Sequence, residues 1–449
     1  MKHDYTANKI SPITLLSLGY LILILTSAVI LSLPFSSTSH VFTSYLDSLF
    51  TVTSAITTTG LIVFDTGTYY NLFGQVIIIL LFQIGGLGYM LFVILVFIVF
   101  QQRISIQSNL MLHESIKKPL KVDILYFLKM IILFTLTIEI IGAIILSIVF
   151  YQFFPLHHSI YSGIFHSISA FNTAGFSIYH DSFCTFGDTI SLNIVIMCIS
   201  TCGSLGFFVL HDIYKYYTGR ITGIQNRKLS VHSRIVLICT AAILIVGSIL
   251  VFVIEYHAND DAPLSFKLLS SLFQVSSAST TTGFNSIDIG MMKESNLFLI
   301  IIMMFIGAGS GGTAGGIKMT TLVVTLCSVY AILRNKNSVN IFKRRLPFEV
   351  IRNSFAIFVL SLSWQILITY ILSITENKGF VSLLFETGSA LGTVGLSTGI
   401  TADLSSIGKV LIILSMFIGR IGPLGIGISL LKGGEEPGYK YSTTDIFIG

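Results

Sequence analysis

The chain has 449 residues, of which 53% are hydrophobic and only 10% charged, with a formal net charge of +5. Soluble domains carry about 25% charged residues, so this composition excludes a string of soluble domains and describes an integral membrane protein. No basic-aromatic face or helix-turn-helix pattern accompanies the small positive charge, which excludes nucleic acid as a partner.

The first apolar run, 13–33, follows Lys2 and Lys9. It is longer than the apolar core of a signal peptide, about 7 to 15 residues, and reads as a retained helix. A shorter, more polar segment, 41–59, leads into Thr57-Thr58-Thr59-Gly60, and a second long apolar run, 72–101, carries Gly85-Gly86-Leu87-Gly88. The same succession then returns three times. Helix 122–150 is followed by segment 159–174 and by run 187–216, with Gly203-Ser204-Leu205-Gly206. Helix 235–254 is followed by segment 265–282 and run 296–333. Helix 350–374 is followed by segment 380–394 and run 405–431, with Gly422-Pro423-Leu424-Gly425.

The middle segments fall short of the roughly 20 residues a spanning helix needs. A helix that stops at membrane depth must hide its freed backbone groups in protein or in a water-filled cavity. The predicted fold is therefore all-α: four tandem helix–pore helix–helix repeats, with eight transmembrane helices and four re-entrant pore loops around a central ion pore. The repeats occupy 1–110, 111–220, 221–340 and 341–431, and 432–449 forms a tail.

Each middle segment carries the frame F-x3-S-A-x2-T-x-G. It reads Phe50, Ser54, Ala55, Thr58, Gly60 in the first repeat and Phe165, Ser169, Ala170, Thr173, Gly175 in the second. It reads Phe273, Ser277, Ala278, Thr281, Gly283 in the third and Phe385, Ser389, Ala390, Thr393, Gly395 in the fourth. One copy of Thr-x-Gly reads as a helix C-cap. Four copies, each between two long apolar runs, point to a ring. A dehydrated cation needs oxygens to replace its water, and rings of backbone carbonyls supply them in potassium filters. Glycine lets several backbones converge, and the C-terminal ends of four short helices aim their negative dipole ends at the centre. The candidate filter is Thr58-Thr59-Gly60, Thr173-Ala174-Gly175, Thr281-Thr282-Gly283 and Thr393-Val394-Gly395, with the glycine carbonyls as the common ring.

The glycine clusters of the first two repeats read as close helix packing through small residues. The third repeat differs, because Gly307-Ala308-Gly309-Ser310-Gly311-Gly312-Thr313-Ala314-Gly315-Gly316 precedes Ile317-Lys318. At about 1 kcal/mol per glycine relative to alanine, a continuous helix is disfavoured here. The stretch reads as an intramembrane loop placed below the ring as a gate, with Lys318 either anchoring it or facing the cytoplasmic interface. Arg420 lies inside the last run, where a charge costs at least ~2.5 kcal/mol. It reads as a pore obstacle or a partner of the glycine loop, against the alternative of snorkelling to the cytoplasmic side. Glu139 and Glu386 read as hydrogen-bonded structural carboxylates, against the alternative of buried functional ones. The five cysteines, Cys184, Cys198, Cys202, Cys239 and Cys327, read as small buried apolar residues, since no His or carboxylate neighbours them to complete a zinc site.

Twenty of the 26 Lys and Arg lie at the N-terminus, in the connections 101–129, 215–234 and 334–352, and in the tail. The positive-inside rule then places both termini in the cytoplasm. Lys267, Lys293, Lys378 and Lys409 lie on the outer, pore-loop side, with the acids Asp65, Asp181, Asp188, Asp260, Asp261, Asp288 and Asp403, which read first as a solvated rim. No nucleophile–base set, paired carboxylates or nucleotide-binding loop is present, so the chain does not read as an enzyme.

These residues resemble the Trk/Ktr/HKT superfamily of potassium transporters over nearly the whole chain: one filter glycine per repeat, a glycine-rich break in the third and an arginine in the last helix. Eight spans without an extra N-terminal pair are most similar to the membrane subunit (KtrB-like) of a bacterial Ktr system. The resemblance implies potassium uptake across the plasma membrane through Gly60, Gly175, Gly283 and Gly395. It implies a gate made of the loop 307–316 and Arg420. It further implies a homodimer, a cytosolic octameric ring of nucleotide-binding, KtrA-like regulatory subunits, transported potassium with no covalent cofactor, and frequent sodium stimulation. A serine replaces the first filter glycine in some sodium-selective plant relatives, and all four positions are glycine here. The rival readings are a sodium-conducting relative and, from other classes, a non-conducting scaffold or receptor and an intramembrane enzyme.

Overall fold

Helix length sorts the elements into two classes. The structure is a computed structural model that describes residues 12–99, 124–221, 228–256 and 262–422. The helices are α1 (Pro12–Ser32), α2 (Tyr45–Ile56), α3 (Thr66–Tyr69), α4 (Leu72–Val99), α5 (Ile124–Phe150), α6 (Leu156–Phe171), α7 (Ile190–Leu205) and α8 (Phe207–Ile221). They continue as α9 (Val231–Glu255), α10 (Leu264–Ser279), α11 (Glu294–Phe305), α12 (Met319–Leu333), α13 (Phe348–Thr375), α14 (Phe380–Gly392) and α15 (Ser406–Ile421). Among the described residues three helices are long and apolar enough to cross a membrane, within α5, α9 and α13, and a fourth crossing would come from the pair α7 and α8. The short helices α2, α6, α10 and α14 have 12, 16, 16 and 13 residues. At 1.5 Å per residue they reach at most about 24 Å, less than the ~30 Å hydrocarbon layer.

The long helices present apolar stripes outward. Leu133, Ile140, Ile144 and Ile148 on α5 are each more than half exposed, as are Ile238, Ile245, Ile249 and Val253 on α9. Their spacing puts each set on one helix face. Exposed apolar area of that extent is unfavourable in water and suits lipid. Polar side chains point inward instead: apart from Ser265 and Ser382 at the helix starts, the Ser, Thr and Gln residues of the short helices are buried.

Five apolar clusters form the core, and four of them interlock neighbouring repeats through the motif residues. Phe165 and Phe176 of the second repeat pack in the cluster of α1, α2 and α4. Phe273 and Phe284 of the third pack in the cluster of α5, α6 and α7. Phe385 and Leu396 of the fourth join Val275, Ile300 and Met304. Phe50 and Leu61 of the first join Ile368, Leu383 and Ile412 of the fourth. The motif phenylalanine and the residue after the motif glycine thus wedge into the preceding repeat, and the order closes on itself.

Three sequence expectations change. The run 187–216 is not one helix: it breaks at Gly206, where φ is +95°, and α8 turns by 99° from α7. The glycine cluster assigned to the fourth repeat also lies three residues too far along. Gly85, Gly203 and Gly419 are equivalent, each with its Cα against the carbonyl of the last full-turn residue of a short helix, Ile56, Phe171 and Leu391 respectively. The matching stretch is therefore Gly419-Arg420-Ile421-Gly422, while Pro423, Leu424 and Gly425 lie outside the described residues. A short hairpin, β1 (Asn340–Ile341) with β2 (Arg344–Arg345), joins α12 to α13 and leaves the fold all-α. The cysteines depart from their reading as buried residues: Cys198 is exposed and the other four are half-buried.

The Gly203 contact is testable. A methyl group there overlaps the Phe171 carbonyl oxygen, whereas one at Gly379 meets only Ser382 Oγ at 3.9 Å. Gly203→Ala should cost roughly 1–3 kcal/mol and lower the melting temperature in detergent, while Gly379→Ala should stay within about 0.5 kcal/mol.

Candidate functional site

The short helices all end in one way, and this end explains most of the recurring frame. The N–H of the residue before each motif glycine donates to the motif serine's carbonyl, as in Thr59 to Ser54 (2.8 Å), Ala174 to Ser169 (2.8 Å), Thr282 to Ser277 (2.9 Å) and Val394 to Ser389 (2.8 Å). The N–H of the motif threonine donates to the motif alanine's carbonyl, Thr58 to Ala55 and its three equivalents, at 3.1 to 3.3 Å. This pair of bonds is a Schellman motif. The position that is usually glycine there is threonine: Thr58, Thr173, Thr281 and Thr393 have φ between +48° and +55°. A β-branched residue in the left-handed region is strained, at roughly 1–3 kcal/mol each. The capping reading and the ring reading therefore apply to the same residues.

The glycines close a ring. Gly60, Gly175, Gly283 and Gly395 have φ of +95°, +70°, +85° and +92°. A Cβ on Gly60 would strike the carbonyl oxygen of Ala174, one on Gly175 that of Thr282, one on Gly283 that of Val394 and one on Gly395 that of Thr59. Each would also come within 2.9 to 3.2 Å of the next glycine's Cα. The four turns meet backbone to backbone in chain order, with the carbonyl before each glycine at the seam. All twelve predicted filter residues are brought together; ten are buried, and Gly175 and Gly395 are half-buried.

Behind the ring the repeats differ. Thr57 Oγ1 and Thr59 Oγ1 lie 2.7 Å apart, as do Thr280 Oγ1 and Thr282 Oγ1. These hydroxyls brace the turn sideways. The second repeat has Asn172 and Ala174 instead, and the fourth has Gly392 and Val394. The residue after the motif phenylalanine ties the short helix to the chain leaving the ring in three repeats. His166 Nε2 meets Ser177 Oγ at 3.0 Å, Gln274 Nε2 donates to Ser286 Oγ at 3.5 Å, and Ser397 Oγ donates to Glu386 Oε2 at 3.0 Å. Glu386 also accepts from Thr401 Oγ1. Glu139 is hydrogen-bonded as well, accepting from Gln83 Nε2 and Asn172 Nδ2.

The glycine-rich stretch leaves α11 at Phe305 and enters α12 at Met319 as a pinched loop. Its neck is the Ile306–Ile317 bridge, with Gly307 packed on Gly315 and Gly316. One flank rests on the broken helix of the second repeat. Gly309 N donates to Ser204 O at 3.1 Å, Phe207 N to Gly311 O at 3.1 Å, and Gly312 packs on Gly203 and Ser204. Ser310 Oγ and Thr320 Oγ1 are 2.9 Å apart. The tip, 313–315, lies against the strained threonines. Thr173 Oγ1 reaches Thr313 Oγ1 at 3.4 Å, Gly315 N donates to Thr281 Oγ1 at 3.2 Å, and Thr393 Oγ1 abuts the Gly315 Cα. Thr313 Oγ1 also donates to Phe171 O at 3.0 Å.

Two cations hold this loop from opposite sides. Lys318 Nζ donates to Ala314 O at 2.6 Å and to Gly315 O at 3.2 Å. Arg420 donates to Thr313 O, to Gly85 O and, at 3.2 Å, to Gly86 O. It therefore bridges the first, third and fourth repeats through backbone carbonyls. Four of the acids expected on the outer rim make local contacts: Asp65 caps α3, Asp181 accepts from Thr185 N, Asp288 from Gly290 N, and Asp403 pairs with Lys378. Asp260 and Asp261 lie outside the described residues. Sequence reasoning missed Gly206 and the interlocking Leu61, Phe176, Phe284 and Leu396. The last four do share a signal, a large apolar residue one place after each motif glycine.

The TrkH family, described as Cation transport protein, matches residues 13–432. The chain is 38% identical to Ktr system potassium uptake protein B of Bacillus subtilis, covering 98% of this chain and 97% of that protein. It is 35% identical to the Potassium/sodium uptake protein NtpJ of Enterococcus hirae, covering 98% of each. The solved structure of the potassium transporter TrkH from Vibrio parahaemolyticus has the same fold, with a TM-score of 0.75 over 96% of this chain and 87% of that one at 18% identity. The chain belongs to the TrkH family of cation transport proteins.

The seat of the loop tip against the ring gives a direct test. Gly315→Ala places a methyl group on Thr393 Oγ1 and should lower thermal stability. Thr393→Ala removes that oxygen, so the double variant should recover part of the loss, with a coupling energy of about 1 kcal/mol. Strict additivity would show that the loop does not sit there.

Proposed function

We propose that this member of the TrkH family is a potassium-conducting membrane subunit of the plasma membrane, passive in mechanism. In this reading the four repeats surround one pore with eight crossings, and both termini are cytoplasmic. The backbone oxygens around Gly60, Gly175, Gly283 and Gly395 replace the ion's hydration shell. The observation that carries the reading is the closed order of contacts among the four glycine turns. A ring of converging backbones at the ends of four short helices has the geometry and the dipole sign for a cation. The names of relatives that span the whole chain, two of which cite potassium uptake, favour the same cargo.

The loop 307–316, held by Lys318 and Arg420, acts as the gate below the ring. A guanidinium facing the pore opposes a cation electrostatically, and the loop blocks it sterically. Relatives named as parts of a Ktr system support control by a second component, here a cytosolic nucleotide-binding ring docked on the basic inner connections of a homodimer. Sodium as a co-ion or stimulant is the second reading, favoured by the relative named for potassium and sodium together.

Purified protein in liposomes should pass potassium in preference to sodium, and sodium flux exceeding potassium flux would overturn the choice of ion. Gly175→Ser pushes a side chain into the Thr282 carbonyl and should cut the potassium preference by roughly tenfold or more. Arg420→Ala should raise flux in the absence of any regulatory partner, and unchanged flux would remove Arg420 from the gate.

A further inference from the structure

The second repeat lacks the hydroxyl brace found in the first and third, because Ala174 stands where Thr59 and Thr282 stand. Its turn is held in another way. Asn172 occupies the place of Thr57 and Thr280, and its Nδ2 faces three acceptors: Gln83 Oε1 at 2.7 Å, Ile168 O at 2.9 Å and Glu139 Oε1 at 3.1 Å. Gln83 Nε2 in turn donates to Glu139 Oε2 at 3.3 Å. Ser167 Oγ fixes the backbone of the same residue by donating to Glu139 O at 2.7 Å. The three side chains come from three elements, α4, the end of α6, and α5, and Glu139 and Asn172 are buried.

We infer that Glu139 is a positioning residue for the filter, acting through Gln83 and Asn172 to hold the Thr173-Ala174-Gly175 turn in register and so to preserve discrimination between potassium and sodium. The inference rests on the proposed filter and goes beyond it by assigning a residue outside the motif. The donor arithmetic explains the residue type. Two amide N–H groups end on Glu139, one on each oxygen, and Gln83 Oε1 is already taken by Asn172. A carboxylate has acceptors on both sides. An amide at 139 would turn an NH2 toward one of the two donors, and flipping Gln83 to receive it would set Gln83 Nε2 against Asn172 Nδ2. Glutamine is therefore a disruptive substitute here although it has the shape of glutamate. Asn172 also packs its Oδ1 on Gly86 Cα, one residue from the carbonyl of Gly85 that receives Arg420, so displaced Asn172 presses on α4 where the arginine is seated.

The test uses full-length protein in liposomes, with potassium and sodium flux measured for each variant. Glu139→Gln should lower the potassium-to-sodium ratio by roughly tenfold, chiefly by raising sodium flux. Adding Asn172→Thr and Ala174→Thr to that variant installs the brace of the first and third repeats and should restore most of the ratio. A merely structural carboxylate would not be rescued in selectivity by a brace at the turn. A wild-type ratio in Glu139→Gln, or no recovery on adding the two threonines, overturns the inference. If Glu139→Gln does not fold, Gln83→Leu carries the test, because it removes the shared acceptor while keeping the carboxylate, and it must show the same loss. A wild-type protein without potassium preference, or Gly175→Ser without effect, would sink the filter assignment instead, and that result is separate from any at Glu139.

Discussion

The structure depends on one steric exclusion: at each motif glycine, the space a side chain would need is already filled by the carbonyl of the next repeat. Four such seams make a closed circuit, so no repeat completes its turn alone. The same circuit runs through the core, where the motif phenylalanine and the residue after the glycine pack into the preceding repeat. Close-packed interiors pass small displacements on to their neighbours. A ring built this way has little freedom to widen at one seam without moving all four, which is the rigidity that ion discrimination by coordinating oxygens requires.

The ring also carries strain at its floor. Glycine would relax the left-handed position of each Schellman motif, yet threonine stands there four times. All four of these side chains meet the tip of the glycine loop, through Thr313 and Gly315. The inference from strain runs from the outlier to a role. The threonines make the underside of the proposed filter a surface that the proposed gate can rest on, and they join two parts that are separate in sequence.

Much of this was legible in the sequence because it depends on local chemistry repeated four times. The serine recurs where its hydroxyl ties the turn, accepting from Gly60 N and Gly395 N in the first and fourth repeats and donating to Phe176 O in the second, and the glycine recurs because of its φ. The glycine-rich loop was legible from composition, since a continuous helix there is penalised several times over. What stayed hidden depends on partners brought from afar. A lone glycine such as Gly206 looks the same in sequence whether it packs a helix or bends it by 99°. The register of the fourth repeat's glycines slipped because the distance from filter to inner glycine varies between repeats, and only the contact with Leu391 places Gly419. The carbonyl partners of Arg420 were invisible because every residue possesses a carbonyl.

That last point bears on how the proposed gate could work. Among the described residues no ion pair includes Arg420. Its charge is held by the carbonyls of Thr313, Gly85 and Gly86, which stabilise it without neutralising it. A buried charge without a counter-ion is costly, and a cation arriving in the ring above would raise that cost by repulsion. The two charges therefore disfavour one another, and relief comes when the arginine or the ion leaves. The anchoring is uneven: Gly85 and Gly86 belong to a continuous helix, whereas Thr313 belongs to the loop. Withdrawal of the loop removes one carbonyl and leaves the other two in place. The arginine can then turn toward α4 without being stripped of partners, so the pore below the ring can clear at the cost of one hydrogen bond to the loop.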